Sequence, residues 1–164
     1  MGNQGGKKEI SSYDKGINKI LKKSQGFEWI IASYLVDTHD KFKSNVFPST
    51  QVAKIVMDKL DKERTKFAVV HRIVREIMKK YQEEGLCERL ERGRAKKTKK
   101  IYKFTDYGFK VLKSKIINFN IENIKGTIPD EYQVETRSRE DMLMHYLQDM
   151  VDQFDDYVLD EDFE

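Results

Sequence analysis

Between Arg94 and Lys100 the chain sets five bases in seven positions, Arg94, Lys96, Lys97, Lys99 and Lys100, with Arg92 just before and no acid among them. Like charges at that density repel, so the run is either a solvated turn or a surface that favours an anionic partner. Lysine brings charge with little geometric discrimination, so such a run supplies affinity more than selectivity. If roughly four to seven of these groups meet phosphates, binding is steeply salt-dependent, because each contact adds about 0.9 to the slope of log affinity against log salt.

A second set of polar positions lies upstream. Phe67, Val70, Val74, Ile77, Met78 and Tyr81 share one helix face, and Gly85 stands where a helix C-terminus wants positive φ. With that face centred on Val74, residues Thr65, Ala68, Arg72, Glu76 and Lys79 fall opposite, and Val69 and Arg75 flank them. Lys66 sits beside Thr65, which can cap this helix. Earlier still, Pro48 is followed by Ser49, Thr50 and Gln51, a helix start whose backbone N–H groups suit an anion and equally suit simple capping.

Catalytic chemistry has little to work with. His39, His71 and His145 are scattered, and none stands at metal-ligand spacing with another His or with Cys87. The sequence carries no P-loop, no G-x-G-x-x-G and no nucleophile elbow. His71 reads as a hydrogen-bonded structural residue or a phosphate donor, Cys87 as a small apolar residue on a strand, and Trp29 as packing. The expectation is a protein that is not an enzyme, with no cofactor and no metal site. A single cysteine allows no intramolecular disulfide. With no apolar run near the length of a membrane span, the chain is expected to be cytoplasmic, or nucleoid-associated in a prokaryote, and to have no membrane partner.

These residues must be positioned by a lean core: 38% of the 164 residues are hydrophobic and 36% are charged. Cutting the chain between Arg139 and Glu140 separates 31 bases and 18 acids, a net +13, from ten acids and no base, a net −10. A basic body with an acidic end suggests that the body binds a polyanion. The periodicities divide the chain into four parts. Residues 1–24 read as a flexible N-terminal arm with a short helix around Ile17, Ile20 and Leu21, capped by Ser12. Residues 25–117 hold a helix through Phe27, Ile30, Ile31, Tyr34 and Leu35, a loop over 37–47, and a helix through Val52, Ile55, Val56 and Leu60. The helix from Phe67 follows, then strands at LCERLER and IYKFT, and a helix capped by Thr105 with Phe109, Leu112 and Ile116 on one face. Residues 118–137 read as a linker and 138–164 as an acidic C-terminal helix and tail, with Ser138 and Asp141 in a capping pattern.

Three helices, a strand, a basic turn, a second strand and a closing helix is the order of a winged helix-turn-helix. The stretches VHRIVREIM, EEGLCER and YKFTDYGFKVL resemble the recognition helix and the two sides of the wing in winged-helix transcriptional regulators of bacterial and archaeal type. The expected fold is therefore mainly α with a small β-hairpin: a winged helix-turn-helix of three helices, two-stranded wing and closing helix, plus the acidic helix. The resemblance implies double-stranded DNA as partner and regulation of transcription as role. The helix from Phe67 would enter the major groove, where Arg72 and Arg75 can pair with guanine and Ala68 and Val69 can touch a thymine methyl. The wing, Arg92 to Lys100, would lie on the backbone. A rival reading makes the same fold a protein-binding subunit of a transcription or replication assembly.

In the acidic helix, Leu143, Leu147, Met150, Phe154 and Tyr157 step by 4, 3, 4 and 3. Three fates fit this seam. It zips to its mate in a homodimer or docks a protein partner; it folds back on its own body; or its acids cover the basic surface.

Overall fold

Helix formation follows the apolar periodicities, and local hydrogen bonds set the ends. The computed structural model describes residues 11–61, 63–92, 99–119 and 128–162, with side chains for all of these except 91, 92, 99 and 155–162. Helix α1 (Ser12–Leu21) is capped by Ser11, one residue before the expected cap, whose hydroxyl accepts from the Asp14 N–H at 3.1 Å. Helix α2 (Gln25–Phe42) runs six residues into the expected loop and stops at Lys43, which takes the left-handed conformation at φ 59°. The remainder of that loop supplies a short strand, β1 (Val46–Pro48). Helices α3 (Ser49–Lys59) and α4 (Phe67–Glu83) come next, and Gly85 takes φ 80° after α4. Strands β2 (Cys87–Arg92) and β3 (Lys99–Phe104) lead into α5 (Asp106–Asn118), where the Thr105 hydroxyl accepts from the Gly108 N–H at 3.0 Å. A 3-10 turn at Asp130–Tyr132 precedes α6 (Arg139–Asp162), whose start is capped by Ser138 Oγ accepting from Asp141 N–H.

The strands form one antiparallel sheet in the order β1-β3-β2. Its register sets Phe47 and Arg89 on either side of Tyr102, Cys87 opposite Phe104, and Glu91 opposite Lys100. Pro48 is tolerated because β1 is an edge strand, where a missing N–H breaks no ladder on the outer side. The protein is thus mainly helical with a small three-stranded antiparallel sheet. No helix among the described residues is long and apolar enough to cross a membrane.

One hydrophobic cluster draws on every α-helix and on the sheet, from Ile17 and Ile20 of α1 to Leu143, Leu147 and Phe154 of α6. The expected divisions after residues 24 and 137 therefore do not separate independent cores. Within the arm, α1 is integral, because Ile17 and Ile20 are 1% and 2% exposed. The acidic helix is equally committed. Its seam residues Leu143, Leu147, Met150 and Phe154 are buried in the same chain, and Phe154 meets the Tyr13 ring edge-on at 5.0 Å. The seam expected to face a mate or a partner is occupied intramolecularly at these four positions; the side chain of Tyr157 lies outside the described residues. The physical reason is competition. A 4-3 apolar stripe fits any complementary face, and α1 with α2 presents one within the same molecule.

Candidate nucleic-acid interface

Strand alternation builds the first half of the site. Residues two apart share a side of the sheet, so Arg89 lies on the side of Cys87, and Lys100 on the side of Tyr102 and Phe104. That side faces α4, as the edge contact between Phe104 and Tyr81 at 6.3 Å records. Moving outward from the core, it changes from apolar at Phe104 and Tyr102 to basic at Arg89 and Lys100. Helix α4 brings Arg75, His71 and Arg72 toward the same place. Their mutual field acts on Lys100 and His71. Burial, then Arg75, Arg89 and Arg72, lowers the affinity of Lys100 for its proton, with Glu76 acting in the opposite sense. Burial, then Arg75 and Lys100, lowers that of His71. Five cationic or protonatable side chains from three elements, α4, β2 and β3, thus converge on one surface.

The expected contact residues divide sharply. Lys66, Ala68 and Lys79 on or beside α4, and Thr50 and Gln51 on α3, are exposed. Gln51 uses its amide to donate to the Tyr34 hydroxyl at 3.2 Å. Arg75 is half-buried, and its Nε is buried without an acceptor among the described residues. Ser49 is no cap and no surface donor. It is 2% exposed, and its hydroxyl pairs with His71 Nε2 at 2.9 Å, tying α3 to α4 while His71 stacks on Phe67. Thr65 and Val69, expected to face outward, are buried. Thr65 Oγ1 accepts from Gln148 Nε2 at 3.0 Å rather than capping α4, and Val69 joins the core. Arg72 is engaged internally: its Nη2 lies 3.0 Å from Asp14 and its Nε 3.1 Å from Glu76, with the guanidinium 6.0 Å from the Tyr13 ring centre. Arg94, Lys96 and Lys97 lie outside the described residues, as do the side chains of Arg92 and Lys99.

A helical wheel centred on Val74 assumes a helix buried on one side, whereas α4 also meets α1, with Tyr13 Oη donating to the Ala68 carbonyl at 3.3 Å, and Thr65, just ahead of α4, is held by Gln148 of α6. Several residues that shape the surface escaped the sequence reading. Arg89 was legible from its alternation with Cys87. Asp14 and Tyr13 carry no local signal, since nothing in a short helix announces which helix it will cross. Gln148 is similar: its Oε1 accepts from the Asp61 N–H at 2.7 Å, and its Nε2 donates to Thr65 and Asp152. Asp152 pairs with Arg64 at 2.8 Å and Glu140 with Lys59 at 3.6 Å. Acids of α6 therefore meet bases of α3 and of the segment joining α3 to α4.

Cys87 is buried, which pushes its thiol up to about 12 and leaves it a poor nucleophile. Among the described residues no group of His, Cys, Asp and Glu is arranged to hold a metal ion. Comparison with protein-family models, with curated proteins and with solved structures finds no match to this chain.

Proposed function

We propose that this protein binds double-stranded DNA on a winged helix-turn-helix plan, with α2, α3 and α4 as the three helices, β2 and β3 as the wing and α5 as the closing helix. The observation that carries this reading is the convergence of Arg75, Arg89 and Lys100, with His71, from α4 and the hairpin. Holding like charges together costs energy that an intervening polyanion recovers. In the sequence the basic run Arg92 to Lys100 joins β2 to β3 and adds further charge for such a partner. Phosphate contacts of this kind supply affinity and orientation. Control of transcription is the role such occupancy would serve.

The test is fluorescence anisotropy with a random-sequence duplex between about 50 and 200 mM salt, comparing the native chain with a variant carrying Arg75→Ala, Arg89→Ala and Lys100→Ala. Submicromolar binding that weakens steeply with salt, and a shallower slope in the variant, is expected. No binding at 50 mM salt by a folded chain would sink the proposal. A protein-binding role would then take precedence, supported by the groove of about 490 Å³ along α2 and α3, with Trp29, Tyr34 and Ile55 in its wall and Phe42, 73% exposed, at its end.

A further inference from the structure

We infer that this surface grips the phosphate backbone of duplex DNA and does not read base edges, because α1 engages Arg72, the guanidinium that such reading would require. The inference rests on the DNA-binding reading above and names the kind of contact made there. In helix-turn-helix docking the N-terminal residues of the second helix reach base edges in the major groove. Here part of that stretch is taken up: Thr65 and Val69 are buried and Tyr13 Oη donates to the Ala68 carbonyl, while Lys66, Phe67 and Ala68 stay exposed.

Arg72 is the decisive residue. Guanine recognition uses two donors of one guanidinium toward O6 and N7. Two of the Arg72 donors, Nη2 and Nε, already point at Asp14 and Glu76, at 3.0 and 3.1 Å. Nor is α1 a loosely attached strap: Ile17 and Ile20 are buried, and Tyr13 is wedged between Arg72 and Phe154 of α6. Beyond this stretch the surface offers Arg75, Lys79, Arg89 and Lys100, which present charge to phosphates. Four such contacts correspond to a slope of log affinity against log salt of about −3.6.

The experiment is selection from a pool of randomised duplexes with the full chain, followed by anisotropy on individual sequences. Recovered sequences without a shared motif, and affinities of unrelated duplexes within about threefold of one another, are expected. That spread is small beside the roughly 10³-fold or greater preference of site-specific binders. Asp14→Asn, which removes the charge and keeps the side chain's volume, should release Arg72 to a phosphate. It should tighten binding to all duplexes alike and steepen the slope by about 0.9. An enriched motif whose preference disappears in Arg72→Ala overturns this inference and leaves DNA binding intact. Failure to bind any duplex instead overturns the DNA-binding reading and this inference with it.

Discussion

The glycine of TDYGF shows how one residue couples the hairpin to the helix behind it. A Cβ built on Gly108 would stand 2.0 Å from the Leu86 carbonyl oxygen, and that same oxygen accepts from the Thr105 N–H at 3.3 Å. The start of α5 is therefore pressed against the backbone that leads into β2, and only glycine allows the approach. Gly108→Ala should cost about 3 kcal/mol, the upper end of what overpacking costs, since backbone cannot yield as a flexible side chain does; urea unfolding measures it. Tyr81 predicts the opposite sign. Its ring is fully buried, but its hydroxyl has no hydrogen-bond partner among the described residues, and burial, with Glu28 and Glu84, holds its proton on well above the usual range. Tyr81→Phe should raise stability by about 1 kcal/mol, because it removes an unsatisfied polar atom and keeps the ring. His71 makes a third case, in pH. Its folded-state pKa lies below the ordinary 6.5, mainly through burial and then Arg75 and Lys100. Below pH 6.5 the unfolded chain therefore takes up the proton first. The stability contribution is complete above that pH and declines as pH falls through the lower folded-state value. Thermal melts between pH 7.5 and pH 5 should show a fall that is smaller in His71→Gln.

At the scale of elements, α6 holds the segment between α3 and α4 in place. Gln148, 7% exposed, satisfies the Asp61 N–H and the Thr65 hydroxyl at once. Gln148→Leu keeps the bulk and strands both groups, so it should cost about 3 kcal/mol with an unchanged denaturant slope. Loss below about 0.5 kcal/mol would mean that the segment holds its shape without α6. The apolar stripes of α2, α3, α4, α5 and α6 were legible in the sequence because each repeats often enough to define a face. Strand β1 was not, since three residues ending in proline carry no alternation. The amphipathic character of α6 could be read, but not its partner, because Leu143, Leu147, Met150 and Phe154 have the same spacing whether they meet a second chain or their own. For the candidate site, composition marked the basic run and periodicity marked Arg75 and Lys79. The burial of Thr65 and Val69 and the engagement of Arg72 were hidden, because they depend on α1 and α6, which arrive from distant parts of the chain.

For the molecule as a whole, charge and core pull the C-terminal segment in different directions, and two truncations separate them. Residues 155–164 hold six of the acids and no base, so removing them takes the net charge from +3 to +9. They follow Phe154, which rests on Tyr13, and Tyr13 in turn rests on Arg72 of α4. The acidic end therefore begins two ring contacts away from Arg72. Charges about 10 Å apart in water interact by about 0.4 kcal/mol each before screening, and the screening length is itself about 10 Å at 0.1 M salt. A chain ending at Phe154 should keep its fold and bind duplex DNA more tightly, by roughly two- to tenfold near 10 mM salt. The gain should vanish above about 0.3 M, where the field is screened. A chain ending at Ser138 loses Leu143, Leu147, Met150 and Phe154 as well, uncovering the buried faces of α1 and α2. At roughly 1.5–3 kcal/mol per large buried side chain, those four residues account for about 6–12 kcal/mol, comparable with the whole stability of a small protein. It should fail to fold cooperatively, whatever the salt. Equal affinity of the shorter-tailed chain and the native chain at 10 mM would place the acidic end too far from the cluster to matter. A folded, cooperative chain ending at Ser138 would show instead that α6 is an accessory to the core.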